Sequence, residues 1–263
     1  MKSFELFGVR LDALSMKELI THIDAAIKAK TPGFVCFCTV NNMVEALRSP
    51  QYVACLSRAS LRLLDGMPLV WLAHRAGIPH AEQLCGPDVL PRLCEHSVGA
   101  QYRHYFIGGG PGVAEALACS LRARYPGLIV AGFSSPPFHP VSPSVDETEV
   151  QRIADACPDI VWVGLGSPKQ DMWMCAHRDR IPAIMLGVGA AFDFHTGAVQ
   201  RAPRWMTRRG LEWVYRLAKE PGRLWRRYLV GNAVFMLHLV PVLLGRNLRS
   251  RQEGRGANES SNR

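Results

Sequence analysis

Two hydrophobic rhythms alternate along the first 200 positions. SMKELITHIDAAIKAK, residues 15–30, repeats apolar residues at helical spacing behind a Ser15 N-cap, with Glu18 three places on, and predicts a helix. GFVCFCTVNN is a short strand-like run ending in Thr39, Asn41 and Asn42. Residues 43–59 return to a helical period. Leu61–Leu64 reads as a buried strand that stops at Asp65 and turns through Gly66 and Pro68 into a second apolar run. HYFIGGGPGVAEALACSLRARYP is strand, glycine turn and helix, and LIVAGFS is a strand. SSPPFHPVSPSVDETEV is a Pro/Ser-rich loop leading into a helix start. DIVWVGLGSPKQDMWM repeats the strand, glycine turn and helix, and AIMLGVGAAFDF is a further buried strand with glycines at its end. Strands that alternate with helices and are apolar on both faces predict an α/β domain over residues 1–200, a Rossmann-like, mostly parallel sheet with helices on both faces.

From position 201 the pattern changes. RAPRWMTRRGLEWVYRLAKEPGRLWRRY is basic and aromatic, and an apolar stretch follows from Tyr228 to Gly245. That stretch is near the lower limit for a membrane span, and Asn232, His238 and Pro241 interrupt it, so an amphipathic segment lying in a membrane interface fits better. Residues 201–246 thus form a basic, helical, membrane-associating appendage, and residues 247–263 read as a disordered tail.

Charge sharpens this division. The net charge of +9 is concentrated at one end, because residues 201–263 hold 14 Lys and Arg against 4 Asp and Glu. Such asymmetry points to an anionic partner: nucleic acid, a phosphorylated ligand or a membrane surface. The eight cysteines form no C-x-x-C pair, which argues against zinc, and they read as small buried side chains in a reducing cytoplasm. The opening MKSFELFGVRLDALS lacks the apolar run of a secretory signal.

Several positions carry candidate chemistry. Asp65 stands at the carboxyl end of a strand, where chemistry sits in open α/β sheets, although an Asp before a Pro-containing turn is equally a helix cap. Gly108, Gly109 and Gly110 separate a strand from a helix, an arrangement that lets a backbone approach a phosphate or simply packs helix on sheet. G-x-G-x-x-G is not met, since Val113 takes its last place, and no acidic residue follows to hold a ribose, which disfavours a dinucleotide dehydrogenase. After Gly166 and Pro168, Lys169 offers a mobile positive charge and Gln170 a paired donor and acceptor suited to a sugar or base. No metal is expected: Asp193 and His195 lie one residue apart without further ligands, and the acids at 146–149 complement a helix dipole. Arg204, Arg208, Arg209, Arg216, Arg223, Arg226 and Arg227 interleave with Trp205, Trp213, Tyr215, Trp225 and Tyr228. A membrane-bound phosphorylated lipid explains both this segment and the aliphatic run behind it, which RNA does not.

LDGMPLVW, CGPDVL, FIGGGPGVAE, VGLGSPKQD, GVGAAFDFHTGAVQRAPRWM and GLEWVYRLAKEPGRLWRRYLVGN occur in the order seen in the WecG/TagA/CpsF glycosyltransferases, family 26, which the chain resembles from about residue 5 to 245. The resemblance implies an inverting, metal-independent transfer, with no cofactor, from a UDP-sugar to a polyprenyl-diphosphate-linked sugar. The product would be cell-surface polysaccharide or a teichoic-acid linkage unit, made by a peripheral protein on the cytoplasmic membrane face. It further implies that Asp65 is the general base with Thr39 and Asn41 beside it, and that the appendage binds the membrane and closes the site. Arg216, Arg223, Arg226 and Arg227 would grip the lipid diphosphate or the UDP leaving group. Gly108, Gly109, Gly110, Gly166, Lys169, Gln170 and Asp193 are the candidate substrate-binding residues. Relatives self-associate, so a homo-oligomer is possible, and no nucleic acid is expected. Asp171 stands where the family usually has Glu, so its role is open. Glucose, N-acetylmannosamine and its uronic acid all occur as donor sugars among relatives; the reading leans to glucose and exopolysaccharide. A NAD-dependent nucleotide-sugar oxidoreductase or epimerase and a non-catalytic lipid- or RNA-binding module are the competing classes.

Overall fold

The computed structural model describes residues 1–136, 147–244 and 250–252. The chain opens with a hairpin, β1 (Lys2–Leu6) and β2 (Val9–Ala13), closed by Phe7 and Gly8. Both turn residues have positive φ, +51° and +75°, as a two-residue hairpin turn that follows the strand twist demands. The helix expected at 15–30 is α1 (Met16–Lys28), with a complete capping box between Ser15 and Glu18. After β3 (Gly33–Cys38) the predicted 43–59 helix is two helices. The first, α2 (Val40–Arg48), is capped by Thr39; the second, α3 (Pro50–Ser57), is capped by Ser49. Proline at 50 forces the break, because the residue before it disfavours helical backbone.

The chain continues through β4 (Leu61–Leu64), α4 (Met67–Arg75), α5 (Gly86–Ala100), β5 (Arg103–Gly108), α6 (Val113–Arg124) and β6 (Ile129–Ser134). The Pro/Ser-rich loop lies largely outside the described residues; the helix start expected at its end is α7 (Glu147–Ala156). Then come β7 (Ile160–Gly164), α8 (Lys169–His177), β8 (Ile184–Gly187) and α9 (Ala191–Thr196). The strands form one sheet in the order β6-β5-β7-β8-β3-β4-β2-β1, parallel except for the β1–β2 hairpin. Alternation along the strands builds two cores. On β3, Phe34, Cys36 and Cys38 face α2, α3, α4 and α8, whereas Val35 and Phe37 face α1, α5, α6 and α9. This is the α/β architecture that the pattern predicted.

The basic segment is helical: α10 (Arg204–Arg208), α11 (Glu212–Lys219) and α12 (Pro221–Trp225), then a π-helical turn (Arg226–Val230) leading into α13 (Gly231–Leu244). Helix α13 does not stand free of the domain. Its Phe235 and Leu239 are buried in the core on the α2 side, and the Phe235 ring meets Phe7 edge-on at 5.8 Å. Of the tail expected to be disordered, only 250–252 are described, and they differ from that expectation. They form β9 (Ser250–Gln252), antiparallel to β1, whose outer edge would otherwise leave its backbone groups unpaired.

Candidate active site

Five parallel strands end at one cavity of about 910 Å³. Thr39 and Asn41 follow β3, and Asp65 follows β4. Gly109 and Gly110 follow β5, Gly164 and Gly166 close β7, and Gly187 and Gly189 close β8, with Asp193 on α9 beside them. This is the crevice at the carboxyl ends where open α/β sheets bind ligands. Helix α11 and the segments after it roof the crevice with Glu212, Trp213, Arg216, Arg223, Arg227 and Phe235.

Asp65 is not a helix cap. The N-cap of α4 is Gly66, which makes no side-chain cap bond. Backbone pairing fixes Asp65: its N–H donates to Cys38 O at 2.9 Å, and its carbonyl accepts from Gln83 Nε2 at 2.6 Å. The half-buried carboxylate accepts no hydrogen bond from the described residues. Burial pushes it well above the usual carboxylate range, and Glu212 pushes it further, while Arg201 and Arg216 pull it back. The result is an unshared, basic carboxylate facing an enclosed space.

Behind the cavity wall lies a buried polar network. The Thr39 N–H and the Thr39 hydroxyl both donate to Asn42 Oδ1, at 3.0 and 2.7 Å. Asn42 Nδ2 donates to the Tyr52 hydroxyl at 2.6 Å and to Asp171 Oδ2 at 3.1 Å, and the Tyr52 hydroxyl donates to Asp171 Oδ2 at 2.6 Å. Asp171 is fully buried and turned away from the cavity; burial raises it to about 6, against the lowering effect of these hydrogen bonds.

Gln170 lines the cavity, but its amide is engaged in the framework. Its Oε1 accepts from the Gly166 N–H at 3.0 Å, and its Nε2 donates to Gly187 O at 2.5 Å and Ser167 Oγ at 3.2 Å, so it bridges the glycine turns after β7 and β8. Gly108 is a packing glycine: a Cβ there would lie 2.7 Å from the Gly164 backbone, at a φ of +116°. Lys169 is exposed and does not line the cavity.

Arg216, Arg223 and Arg227 line the roof, whereas Arg226 stacks over Trp225 at 5.2 Å and does not. Asp193 is raised by burial and held back by Arg216 and Arg223. The roof is fastened beside Asp65 at two points. A Cβ on Gly210 would lie 3.0 Å from Met67 Cβ, so α11 starts directly against the first turn of α4. Arg201 forms a two-pronged ion pair with Asp88, one prong at 2.9 Å, and its Nε lies 3.9 Å from Glu212. Glu212, the Arg201–Asp88 pair and the Asn42–Tyr52–Asp171 network are the site features that sequence reasoning missed. Glu212 had reason to be overlooked, because an acid in the first turn of a helix reads as a dipole complement. Among the described residues, no group of three or more His, Cys, Asp or Glu is placed to hold a metal ion.

The outer side of the roof is apolar and open. Leu229, Leu237, Val240 and Leu244 are exposed and outside the cavity, as are Trp205 and Trp225. The 24 residues Pro221–Leu244, whose most apolar stretch of 18 has a mean hydropathy of 1.5, are long and apolar enough to cross a membrane by length and composition.

The model of the glycosyl transferase WecG/TagA/CpsF family matches residues 4–250. The chain belongs to this family. The motifs that suggested it converge on one place: Asp65, Asp88, Gly109, Gln170, Asp193 and Arg216 come from six separate motifs and lie at or beside the cavity. Family members named N-acetylglucosaminyldiphosphoundecaprenol N-acetyl-beta-D-mannosaminyltransferase are similar to the chain over most of its length. That of Bacillus spizizenii (strain W23) is 31% identical over 217 residues, covering 81% of this chain and 82% of the relative. That of Staphylococcus aureus (strain MW2) is 27% identical over 225 residues, covering 84% and 87%.

Proposed function

We propose that the protein transfers a sugar from a UDP-sugar to a hydroxyl of a polyprenyl-diphosphate-linked sugar, with inversion, in the assembly of a cell-surface polysaccharide. Asp65 takes the proton from the acceptor hydroxyl as that oxygen attacks the anomeric carbon, and UDP leaves on the opposite face. Thr39 and Asn41 orient a sugar beside it. Arg216, Arg223 and Arg227 meet the charge of the diphosphate as it leaves, or that of the lipid diphosphate. The observation that carries this reading is the unshared carboxylate of Asp65 at the end of β4 on the cavity wall, opposite a roof of arginines.

The apolar outer side of the roof supports a peripheral position on the cytoplasmic face of the membrane. Phe235 and Leu239 hold α13 against the domain, so the helix lies on the bilayer with Leu237 and Leu244 inserted and keeps the cavity next to the lipid headgroups. The names of the relatives favour N-acetylmannosamine as the sugar transferred and N-acetylglucosaminyl-diphosphoundecaprenol as the acceptor, over the glucose to which the sequence alone leaned.

The test is UDP release from a panel of UDP-sugars, with and without a short-chain polyprenyl-diphosphate-N-acetylglucosamine acceptor. Acceptor-dependent release from UDP-N-acetylmannosamine is expected. Acceptor-dependent release from UDP-glucose alone would keep the reaction and replace the sugar. No release from any pair by a folded, membrane-binding protein would overturn the reading in favour of a binding module.

A further inference from the structure

Thr39 could meet a substrate in two ways, since a hydroxyl has one proton to give and two lone pairs to receive with. The network behind it decides which. Asn42 is anchored at both ends by groups that accept only one orientation of its amide. The Thr39 backbone N–H can only donate, so the atom 3.0 Å away must be Oδ1. On the other side, Asp171 Oδ2 already takes the Tyr52 proton, and the atom 3.1 Å away must be the Nδ2 donor. With Asn42 fixed, the Thr39 hydroxyl, 2.7 Å from Oδ1, has to spend its only proton there. The oxygen faces the cavity wall with lone pairs only. The neighbouring group across the strand ends is Asp65, whose N–H pairs with Cys38 O just before Thr39.

We propose that Asn42, held by the Thr39 N–H and by Asp171, is a positioning residue that sets Thr39 as a hydrogen-bond acceptor toward the cavity, so that the ligand group it recognises is a donor, a sugar hydroxyl. This rests on the sugar-transfer reading above and adds a rule of selectivity to it. Thr39 and Asp65 then form a wall of two adjacent acceptors, which suits a sugar face carrying neighbouring hydroxyls. A sugar lacking the hydroxyl, or carrying fluorine there, is discriminated against because neither has a proton to give.

Two measurements test the proposal. Neutron diffraction from the ligand-free protein should place the Thr39 hydroxyl deuteron toward Asn42 and both Asn42 amide deuterons on the Asp171 side. A Thr39 deuteron directed into the cavity would overturn it. The second measurement compares kcat/KM for donor and acceptor sugars in which each hydroxyl in turn is replaced by hydrogen or by fluorine. At one position both replacements should cost the same, roughly 3- to 10-fold, and Thr39→Val should abolish the difference between parent and analogues at that position alone.

Asn42→Leu removes the acceptor that takes the Thr39 proton. Thr39 is then free to donate into the cavity, and the fluoro sugar should outperform the deoxy sugar. Tyr52→Phe leaves Asn42 anchored at both ends and should keep the wild-type ranking. A merely structural role for Asn42 would lower parent, deoxy and fluoro substrates in parallel, and that result, or a wild-type enzyme that accepts the fluoro sugar while rejecting the deoxy sugar, would refute the assignment. Absence of transfer from every sugar would remove the proposed function instead, and the neutron map would still decide the polarity of Thr39.

Discussion

Thr39, Asn42 and Gln170 on the floor of the cavity and Arg216, Arg223 and Arg227 on its roof border the same space but are held in different ways. Thr39 follows β3, Asn42 and Gln170 sit in the first turns of α2 and α8, and hydrogen bonds to backbone and to one another fix them. The roof residues stand on short helices and are half-buried or exposed; among the described residues Arg223 pairs with Glu220 on its own segment, at 2.6 Å, and the Arg216 guanidinium lies over the Phe194 ring at 5.8 Å. Positioning for bond making belongs to the floor. The positive charge and the open apolar surface belong to the roof, which is fastened to the floor at Gly210 and through Arg201. The division teaches that the proposed proton acceptor stands among fixed hydrogen bonds, whereas the charge proposed to meet a diphosphate is carried on side chains with few fixed partners.

Breaking the floor should have the largest effect. Asp65→Asn is expected to lower kcat by roughly 10²- to 10⁴-fold with donor affinity little changed, measured by turnover and by equilibrium binding of the UDP-sugar. The same substitution should raise the melting temperature at neutral pH. An unfolded Asp releases its proton in the ordinary carboxylate range, and the folded one only at higher pH. Between the two, stability falls as pH rises, and Asn removes that fall.

On the roof, Leu237→Glu with Leu244→Glu should weaken binding to anionic vesicles on the order of 100-fold while leaving transfer to a short-chain soluble acceptor near normal, because each residue withdraws a large apolar side chain from lipid. Equal loss on both acceptors would mean that the stripe serves the fold rather than the membrane. Arg216→Ala should reduce kcat/KM by about 10- to 100-fold, as expected for losing a hydrogen bond to a charged group, whereas Arg226→Ala, outside the cavity, should have little effect on the soluble acceptor. Equivalent losses from both would dissolve the distinction between cavity and outer arginines.

The smallest effect sharpens the comparison, because it tests whether the roof speaks to the base. Glu212 holds Asp65 up, against Arg201 and Arg216, with Asp88 acting in the same direction as Glu212. Glu212→Gln removes a negative charge, so Asp65 loses its proton at lower pH, and the acid limb of the kcat/KM profile should move to lower pH. An unmoved limb would show that roof and floor act independently.

The floor was more legible in the sequence than the roof. Thr39, Asn41, Asp65 and the glycine turns could be placed by counting strands, because the ligand crevice of a parallel sheet lies at the carboxyl ends. The N-terminal hairpin was not read, although Phe4, Leu6, Val9, Leu11 and Ala13 face inward with the strand period: its turn is Phe-Gly rather than the usual Asn-Gly, and charges interrupt the run. Gln170 and Asp171 show what remains hidden. Adjacent on a first helical turn, they point about 100° apart, one to the cavity and one to the core, and only the position of Tyr52 and Asn42 says which is which. The Arg201–Asp88 pair spans 113 residues and leaves no local trace.

The π-helical turn at Arg226–Val230 has a consequence for how the roof is wound. Arg223, Arg227, Gly231, Phe235, Leu239 and Leu243 all line the cavity, a spacing of four kept through five steps. A regular α-helix of 3.6 residues per turn drifts by about 40° at each such step, and over this length would carry one end to the far side. The extra residue held in the π turn rewinds that drift by about 100°, about half of it, so that the arginine-bearing half and the apolar half of the segment share one side of the cavity. Length matters here more than side-chain identity: the turn works as a phase corrector, and a one-residue deletion within it would rotate the arginines away from the apolar half they now align with.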